Sequence, residues 1–121
     1  MPRLFTFALA LGISGAALAD PPTLLINQKA TLDSPATVTV YVDVNCGDAP
    51  SSAVVQVAVR QGEFVGSGST PFASTGSKQQ LAVVVAGGPF VPGDAAASAT
   101  LTCSALLEGL VVGQMINIVP P

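Results

Sequence analysis

The stretch Ala36–Cys46, ATVTVYVDVNC, decides the fold class because apolar and polar residues alternate along its whole length. Successive side chains of a strand point to opposite faces of a sheet. The even positions therefore form an apolar face of four valines and a cysteine, while Thr39, Tyr41 and Asp43 face the other way. β-Branched residues also favour strands. This stretch is the clearest predicted strand of the chain.

The same alternation recurs on both sides of this strand, which predicts an all-β protein. Val84 extends one apolar run, so its strand is expected to be buried on both faces. For the Ala-rich segment Ala95–Leu110 a helix remains an alternative, since Ala and Leu favour helices, although its Ser/Thr alternation favours a strand. The other predicted strands are Thr23–Lys29, Ala53–Arg60, Gln80–Ala86, Ala95–Cys103 and Leu110–Val119.

Clusters of Gly, Pro, Ser and Asp separate these strands and predict turns. About six to eight short strands with such turns, and no helical spacing between them, predict a two-sheet antiparallel sandwich in which each inward face covers the other. The predicted turns are Gly47–Ser52, Gly66–Pro71, Thr75–Lys78, Gly87–Pro89 and Pro92–Asp94.

The chain has two cysteines, and each ends a predicted strand on its inward face. Cys46 and Cys103 are therefore expected to form one inter-sheet disulfide between an early and a late strand, as in an immunoglobulin-like sandwich. The chain has no Trp to pack on the bridge, and Leu101 stands where that fold has its tyrosine corner. The expected likeness to immunoglobulin domains therefore concerns architecture only.

The amino terminus has the pattern of a secretory signal peptide. Arg3 is followed by the uncharged, mostly apolar run Leu4–Leu18, and Ala17-Leu18-Ala19 offers small residues for cleavage. The alternative of a membrane anchor is disfavoured, because about 15 apolar residues fall short of the roughly 20 that span a bilayer. We predict a cleaved signal peptide at residues 1–19 and one domain at residues 20–121, secreted or periplasmic, where disulfides persist.

Three short motifs carry a resemblance to a known group of proteins. They are Val55-x-Val57-x-Val59-Arg60-Gln61-Gly62, then Gly66–Thr70, then Phe90–Ala95 with alternating small residues running into Cys103. The chain resembles small secreted bacterial proteins, of actinobacterial type and of unknown function, that hold a single immunoglobulin-like domain. The resemblance covers about residues 36–119 and implies a fold but no activity. Some of those proteins have a further cysteine near Phe72, which this chain lacks.

The composition of the chain excludes many classes of enzyme. The chain has no His, so Ser-His-Asp and Cys-His catalysis and the commonest zinc ligand are excluded. Acidic side chains outnumber basic ones by seven to four, which makes nucleic acid an unlikely partner. No catalytic residue, cofactor or metal site is predicted, and no stable membrane insertion is expected after cleavage.

Three minor chemical alternatives stay open. Asp43 and Asn45 could form a weak surface calcium site with Asp94. Glu63 and Glu108 could act as the paired carboxylates of a hydrolase. An internal isopeptide bond would need Lys29 or Lys78 buried beside Asn117 or Asn45, together with a carboxylate.

The leading prediction is a non-enzymatic exported module that binds a protein or glycan partner or has a structural role, with its oligomeric state open. The loop expected at Gly62–Ser77 would present the contact surface, with Gly62, Phe64, Gly66, Gly68 and Phe72 as its contact residues. The phenylalanines, Phe90 included, are expected to plug the sandwich ends, and Tyr41 is the outward aromatic of a strand. The alternative function is a strand-exchanging subunit of a surface assembly.

Overall fold

A computed structural model describes residues 22–47, 51–103 and 110–121 of the chain. These residues form an all-β fold, as predicted, and the helix alternative is wrong over Ala95–Cys103, which is a strand. The seven strands are β1 (Thr23–Ser34), β2 (Thr37–Asn45), β3 (Ser51–Gln61), β4 (Phe64–Ser74), β5 (Gln79–Gly87), β6 (Gly93–Cys103) and β7 (Leu110–Val119).

The strands close into a single barrel in the order β1-β2-β5-β4-β3-β6-β7. Neighbouring strands are antiparallel except at the last junction, where β7 runs parallel to β1. There Lys29–Thr31 pair with Asn117–Val119. The prediction of a two-sheet antiparallel immunoglobulin-like sandwich is therefore wrong, because one sheet closes on itself and leaves no second sheet to cover it.

Closure depends on glycines at the seam between β4 and β5. The ladder here has two residue pairs, Gly66 with Gly87 and Ser67 with Ala86. A Cβ at Gly68 would lie 2.0 Å from the carbonyl oxygen of Val84, so only glycine fits this close approach of the two backbones. The predicted turn at Gly66–Pro71 is wrong for the same reason, since its glycines belong to a strand that crosses close to its neighbour.

The inward faces of six of the seven strands fill the barrel with aliphatic side chains, as the alternation predicted, whereas β4 turns glycines, Thr70, Phe72 and Ser74 inward. Phe90, in the segment between β5 and β6, is buried against this core, which confirms its expected plugging role. Val84 is 56% exposed, so the prediction that β5 is buried on both faces is wrong. The largest fully buried side chains are Phe90, Leu101, Ile118, Val38, Val40, Val42, Val44, Val55, Val57, Val59, Val83 and Val85.

The predicted disulfide between Cys46 and Cys103 is present, with 5.8 Å between the Cα atoms. Cys103 is buried, and Cys46 is half-buried against the core. The bond joins the ends of β2 and β6, which are not neighbours in the barrel. It is thus a link across one closed sheet and not between two sheets. A disulfide indicates an oxidising environment outside the cytoplasm.

The predicted signal peptide at residues 1–19 lies outside the described residues and stays a prediction. Within the described ranges, no helix has the length and apolar character needed to cross a bilayer.

The Gln61 side chain forms hydrogen bonds with the segment between β5 and β6 that carries Phe90. Its Nε2 donates to the carbonyl oxygens of Val91, at 2.9 Å, and Asp94, at 3.3 Å. Its Oε1 accepts from the Val91 N–H at 3.0 Å. The Gln61 side chain, at the end of β3, therefore links β3 to this segment.

We expect Gln61→Ala to lower the free energy of unfolding by about 1.5 to 3 kcal/mol, because it removes three hydrogen bonds that each contribute about 0.5 to 1 kcal/mol. Amide hydrogen exchange should become faster at Val91 in particular. Gln114→Ala is the matched control, since within the described residues the Gln114 amide donates to the adjacent Met115 carbonyl alone. Unchanged exchange at Val91 would show that Gln61 does not hold the segment.

Candidate functional site

The predicted contact loop at Gly62–Ser77 is mostly a strand. Gly62 and Glu63 form a two-residue turn with Gly62 at φ 63°, and Phe64–Ser74 is β4. The prediction of a loop is therefore wrong beyond this turn and the tip at Thr75–Lys78. The reason is that glycine and serine are typical of turns but also of strands that approach another backbone closely.

The predicted contact residues divide into three groups. Gly62 and Phe64 lie at the exposed turn, where Phe64 is 46% exposed and so does not plug an end of the barrel. Gly66 and Gly68 lie at the β4–β5 seam. Phe72 is half-buried against the core, in partial agreement with a plugging role. Contact of these residues with a partner stays a prediction.

A larger candidate surface lies on the outer side of four neighbouring strands, β4, β3, β6 and β7. The register places their outward side chains in rows, such as Ser67–Ala58–Ser98–Gly113. We call this surface the groove face. Its residues are Val65, Ser67 and Ser69 on β4; Gln56, Ala58 and Arg60 on β3; Ala96, Ser98 and Thr100 on β6; and Val111, Gly113 and Met115 on β7.

Small side chains in the middle of the groove face leave a shallow hollow between larger ones. The hollow has a volume of about 410 Å³, centred on Gln56, Ala58 and Ser98, and a second of about 320 Å³ continues towards Arg60. Around the hollows Val65 is 56% exposed, Val111 65% and Met115 62%. The groove face thus combines a recess with exposed apolar side chains at its borders.

Charge on the groove face is confined to one end. Arg60 is the charged side chain among its rows, and its Nε donates to the Gly62 carbonyl oxygen at 3.5 Å. Glu63 lies in the adjoining turn, and Asp94 begins the next row of β6. The middle of the face offers hydroxyls, one amide and apolar groups, which is the composition of a contact surface with a polar rim.

The opposite side of the barrel holds a separate recess, which we call the tyrosine groove. It has a volume of about 390 Å³ and is lined by Asn27, Lys29, Thr31, Tyr41, Gln80 and Val119. A bulge in β1 shapes it, because Ile26 pairs with Val42 and Ala30 with Val40. Three exposed β1 residues therefore stand opposite Tyr41 alone.

The residues proposed for a calcium site do not come together. Cys103 bonds to Cys46, close to Asp43 and Asn45, whereas Asp94 lies nine residues earlier on β6, about 30 Å away along the strand. This separation overturns the calcium alternative. Among the described residues no three His, Cys, Asp or Glu side chains could share a metal ion. Glu63 is exposed in its turn, and Glu108 lies outside the described residues.

One pairing considered for an isopeptide bond is close in the fold. Lys29 and Asn117 are register partners on the parallel strands β1 and β7, and Asp94 is the partner of Asn117 on β6. All three side chains are exposed, whereas the amine of an isopeptide-forming lysine must be desolvated to attack. We therefore interpret these three residues as a row of solvent-exposed polar side chains and not as an isopeptide site.

Sequence reasoning missed the groove face as a surface. A usable signal was present, because most outward positions of β3 and β6 are Ser, Thr, Ala or Gln, where solvent-facing strands often hold charged residues. The rows themselves could not be predicted, since they depend on the register between strands.

The fold and its recesses define a class: a small disulfide-linked β-barrel with a shallow, nearly uncharged outer face. No family model matches the chain, and no curated protein is similar to it in sequence. Among solved structures it is similar to Spo0M, a sporulation control protein from Bacillus subtilis, at 10% identity and a TM-score of 0.40. The match covers 80% of this chain and 48% of that protein, and at these values it supports no functional inference.

Proposed function

We propose that this protein is an exported, non-enzymatic binding module that contacts a protein partner through the groove face. Its place of action is the periplasm or the cell exterior, in keeping with the predicted signal peptide and with the disulfide. The observation that carries the proposal is the exposure of three apolar side chains beside the two adjoining hollows. Val65 lines the smaller hollow, and Val111 and Met115 on β7 are the register partners of residues that line the two hollows.

Large apolar side chains that are grouped on one surface favour a binding role over chance exposure. The three residues come from strands β4 and β7, at the two borders of the face, so the recess lies between them. Charged residues are depleted at the centre of protein interfaces, and the middle of the groove face has none. The rows span four strands and about 14 Å along β3, from Gln56 to Arg60, which suits a small, transient interface more than an obligate one.

Strand exchange is less well supported. Within the described residues, six of the seven junctions of the barrel hold at least three residue pairs, and only the β4–β5 seam is as short as two. A closed barrel has few free strand edges for a partner to extend. On β4, Pro71 also lacks the N–H that an added strand would need.

The test is substitution at the centre of the recess. Ser98 is exposed and its neighbours in the row are small, so Ser98→Arg should fill the hollow without unfolding the barrel. We expect this variant to lose the proteins that wild-type protein retains from the exported fraction of its own organism, as quantified by mass spectrometry of tagged pull-downs.

Thr23→Arg, at an exposed position on β1, is the matched control for added charge and bulk. It should retain the same partners as the wild type. Retention of those partners by Ser98→Arg, or their equal loss from both variants, would exclude the groove face as the contact surface. Thermal melting of all three proteins checks that each is folded.

A further inference from the structure

We propose that the tyrosine groove binds a neutral saccharide, with one pyranose ring stacked on Tyr41. The site lies on the side of the barrel opposite the groove face and is independent of the function proposed above. It would give the protein a second, small-molecule specificity.

Tyr41 can provide the platform that a sugar needs. It projects outward from the middle of β2 and is half-buried, so one part of the ring is supported while another is accessible. Its register partner on β5 is Ala82, whose methyl group leaves the space beside the ring open. The C–H face of a pyranose packs on an aromatic ring in the way that other apolar surfaces do.

The polar side chains around Tyr41 suit sugar hydroxyls. An amide both donates and accepts, so Asn27 and Gln80 can each bind a pair of adjacent hydroxyl groups. The Asn27 Oδ1 accepts from the Lys29 N–H at 3.0 Å, which orients this amide and leaves its NH₂ group to donate. Among the described residues, no hydrogen bond engages the Tyr41 hydroxyl or the Gln80 amide.

The bulge in β1 brings these groups together. In a regular ladder one residue would lie opposite Tyr41, whereas here the three residues Asn27–Lys29 lie between the pairs Ile26–Val42 and Ala30–Val40. Bulges redirect side chains and are frequent beside functional sites. Because of the extra residues, Asn27 and Lys29 both line the groove next to the ring.

The size and charge of the tyrosine groove limit the classes of ligand that it can bind. A recess of about 390 Å³ is at the lower end of the range for small-molecule sites and suits one or two sugar rings. Lys29 lines the groove on the β1 side. At the other side of the groove, Asp43 on β2 is the register partner of Gln80 on β5. These opposite charges offset each other, so a neutral saccharide fits better than an acidic or a basic one.

The chain contains one Tyr and no Trp, so the intrinsic fluorescence of the protein reports on Tyr41 alone. We would titrate the full exported protein with cellobiose, chitobiose and mannobiose. The expected result is a saturable change in fluorescence with at least one of them, at a Kd of about 1 mM or tighter. No change with any of the three at concentrations well above this value would overturn the proposal.

Variants of the groove residues test where the saccharide binds. Their affinity is measured by ligand-observed NMR, which does not depend on tyrosine fluorescence. Tyr41→Ala should weaken binding at least about tenfold, Gln80→Ala about fivefold, and Tyr41→Phe less than about threefold, since it keeps the ring. Gln114→Ala, at a position that lines neither the tyrosine groove nor the hollows of the groove face, is the matched control for Gln80→Ala and should bind as the wild type does.

Two further outcomes would contradict the proposal. Saccharide binding that survives Tyr41→Ala would place the ligand elsewhere on the protein. Binding of a proline-rich peptide that depends on Tyr41, in the absence of saccharide binding, would make the groove a peptide site. A failure of these experiments leaves the Ser98→Arg test untouched, because that substitution lies on the opposite side of the barrel.

Discussion

Gly68→Ala is expected to lower the free energy of unfolding by about 4 kcal/mol or more, a loss large enough to unfold many small domains. The added Cβ would lie 2.0 Å from the carbonyl oxygen of Val84 and 2.9 Å from its carbonyl carbon. Both atoms belong to the backbone of β5, so no side-chain rotation relieves the clash and the seam must separate. Urea unfolding followed by circular dichroism measures the loss.

Gly113→Ala is the control for the same substitution at a strand position without crowding. A Cβ there would come no closer than 4.0 Å to the Ala97 carbonyl oxygen. Because alanine loses less conformational freedom than glycine on folding, this variant should be as stable as the wild type or up to about 1 kcal/mol more stable. If Gly68→Ala also unfolds within about 0.5 kcal/mol of the wild type, the seam does not depend on this glycine.

Removing the disulfide is expected to have an effect of similar size. Cys46 and Cys103 are 57 positions apart, and the entropy of closing a loop of this length corresponds to about 4 kcal/mol. The Cys46→Ala/Cys103→Ala double variant should therefore melt about 15 to 30 °C below the wild type. Alanine is the appropriate replacement, because a serine hydroxyl would be buried at position 103.

Reduction provides the control for this prediction. A reductant should lower the melting temperature of the wild type towards that of the double variant and leave the double variant itself unchanged. Equal melting temperatures of the oxidised wild type and the double variant would show that the bond adds nothing to stability. Intact mass of the exported protein, with and without reductant, tests the disulfide and the predicted cleavage after Ala19 together.

Much of the local structure could be predicted because it depends on short-range patterns. The inward faces of β2, β3 and β6 follow from alternation alone, and β7 has the predicted bounds Leu110–Val119. β1 runs five residues beyond its prediction, to Ser34, because residues 30–34 continue the ladder with β2. Residues 29–31 also pair with β7, at the far end of the chain. No local pattern contains that information.

The errors at β4 and β5 have a common origin. Apolar Val84 and the Gly/Ser run at residues 66–69 were interpreted from residue type alone, as a buried strand and a turn. Their environment is instead set by where β4 crosses β5, which leaves Val84 with one side in solvent and requires glycine at position 68. Residue type gives the conformations that a segment can adopt, and the neighbouring strand selects among them.

Both candidate sites were only partly predictable. Tyr41 was identifiable as an outward aromatic, but Gln80 and Asn27 join it through pairing with β5 and through the bulge in β1. The groove face assembles residues from four strands between positions 56 and 115. Its rows exist only in one register, and a shift of one residue would turn each outward side chain into the core.

By itself the sequence determined the all-β class, the faces of most strands and the cysteine pair, because side-chain alternation and the placement of cysteines at strand ends are local properties. Only the tertiary structure decided that the sheet closes into a barrel, with β1 parallel to β7 and β4 against β5. The physical reason is that closure depends on hydrogen bonds and close backbone contacts between strands that are distant in sequence. The energy of those contacts depends on two strands at once and cannot be read from either segment alone.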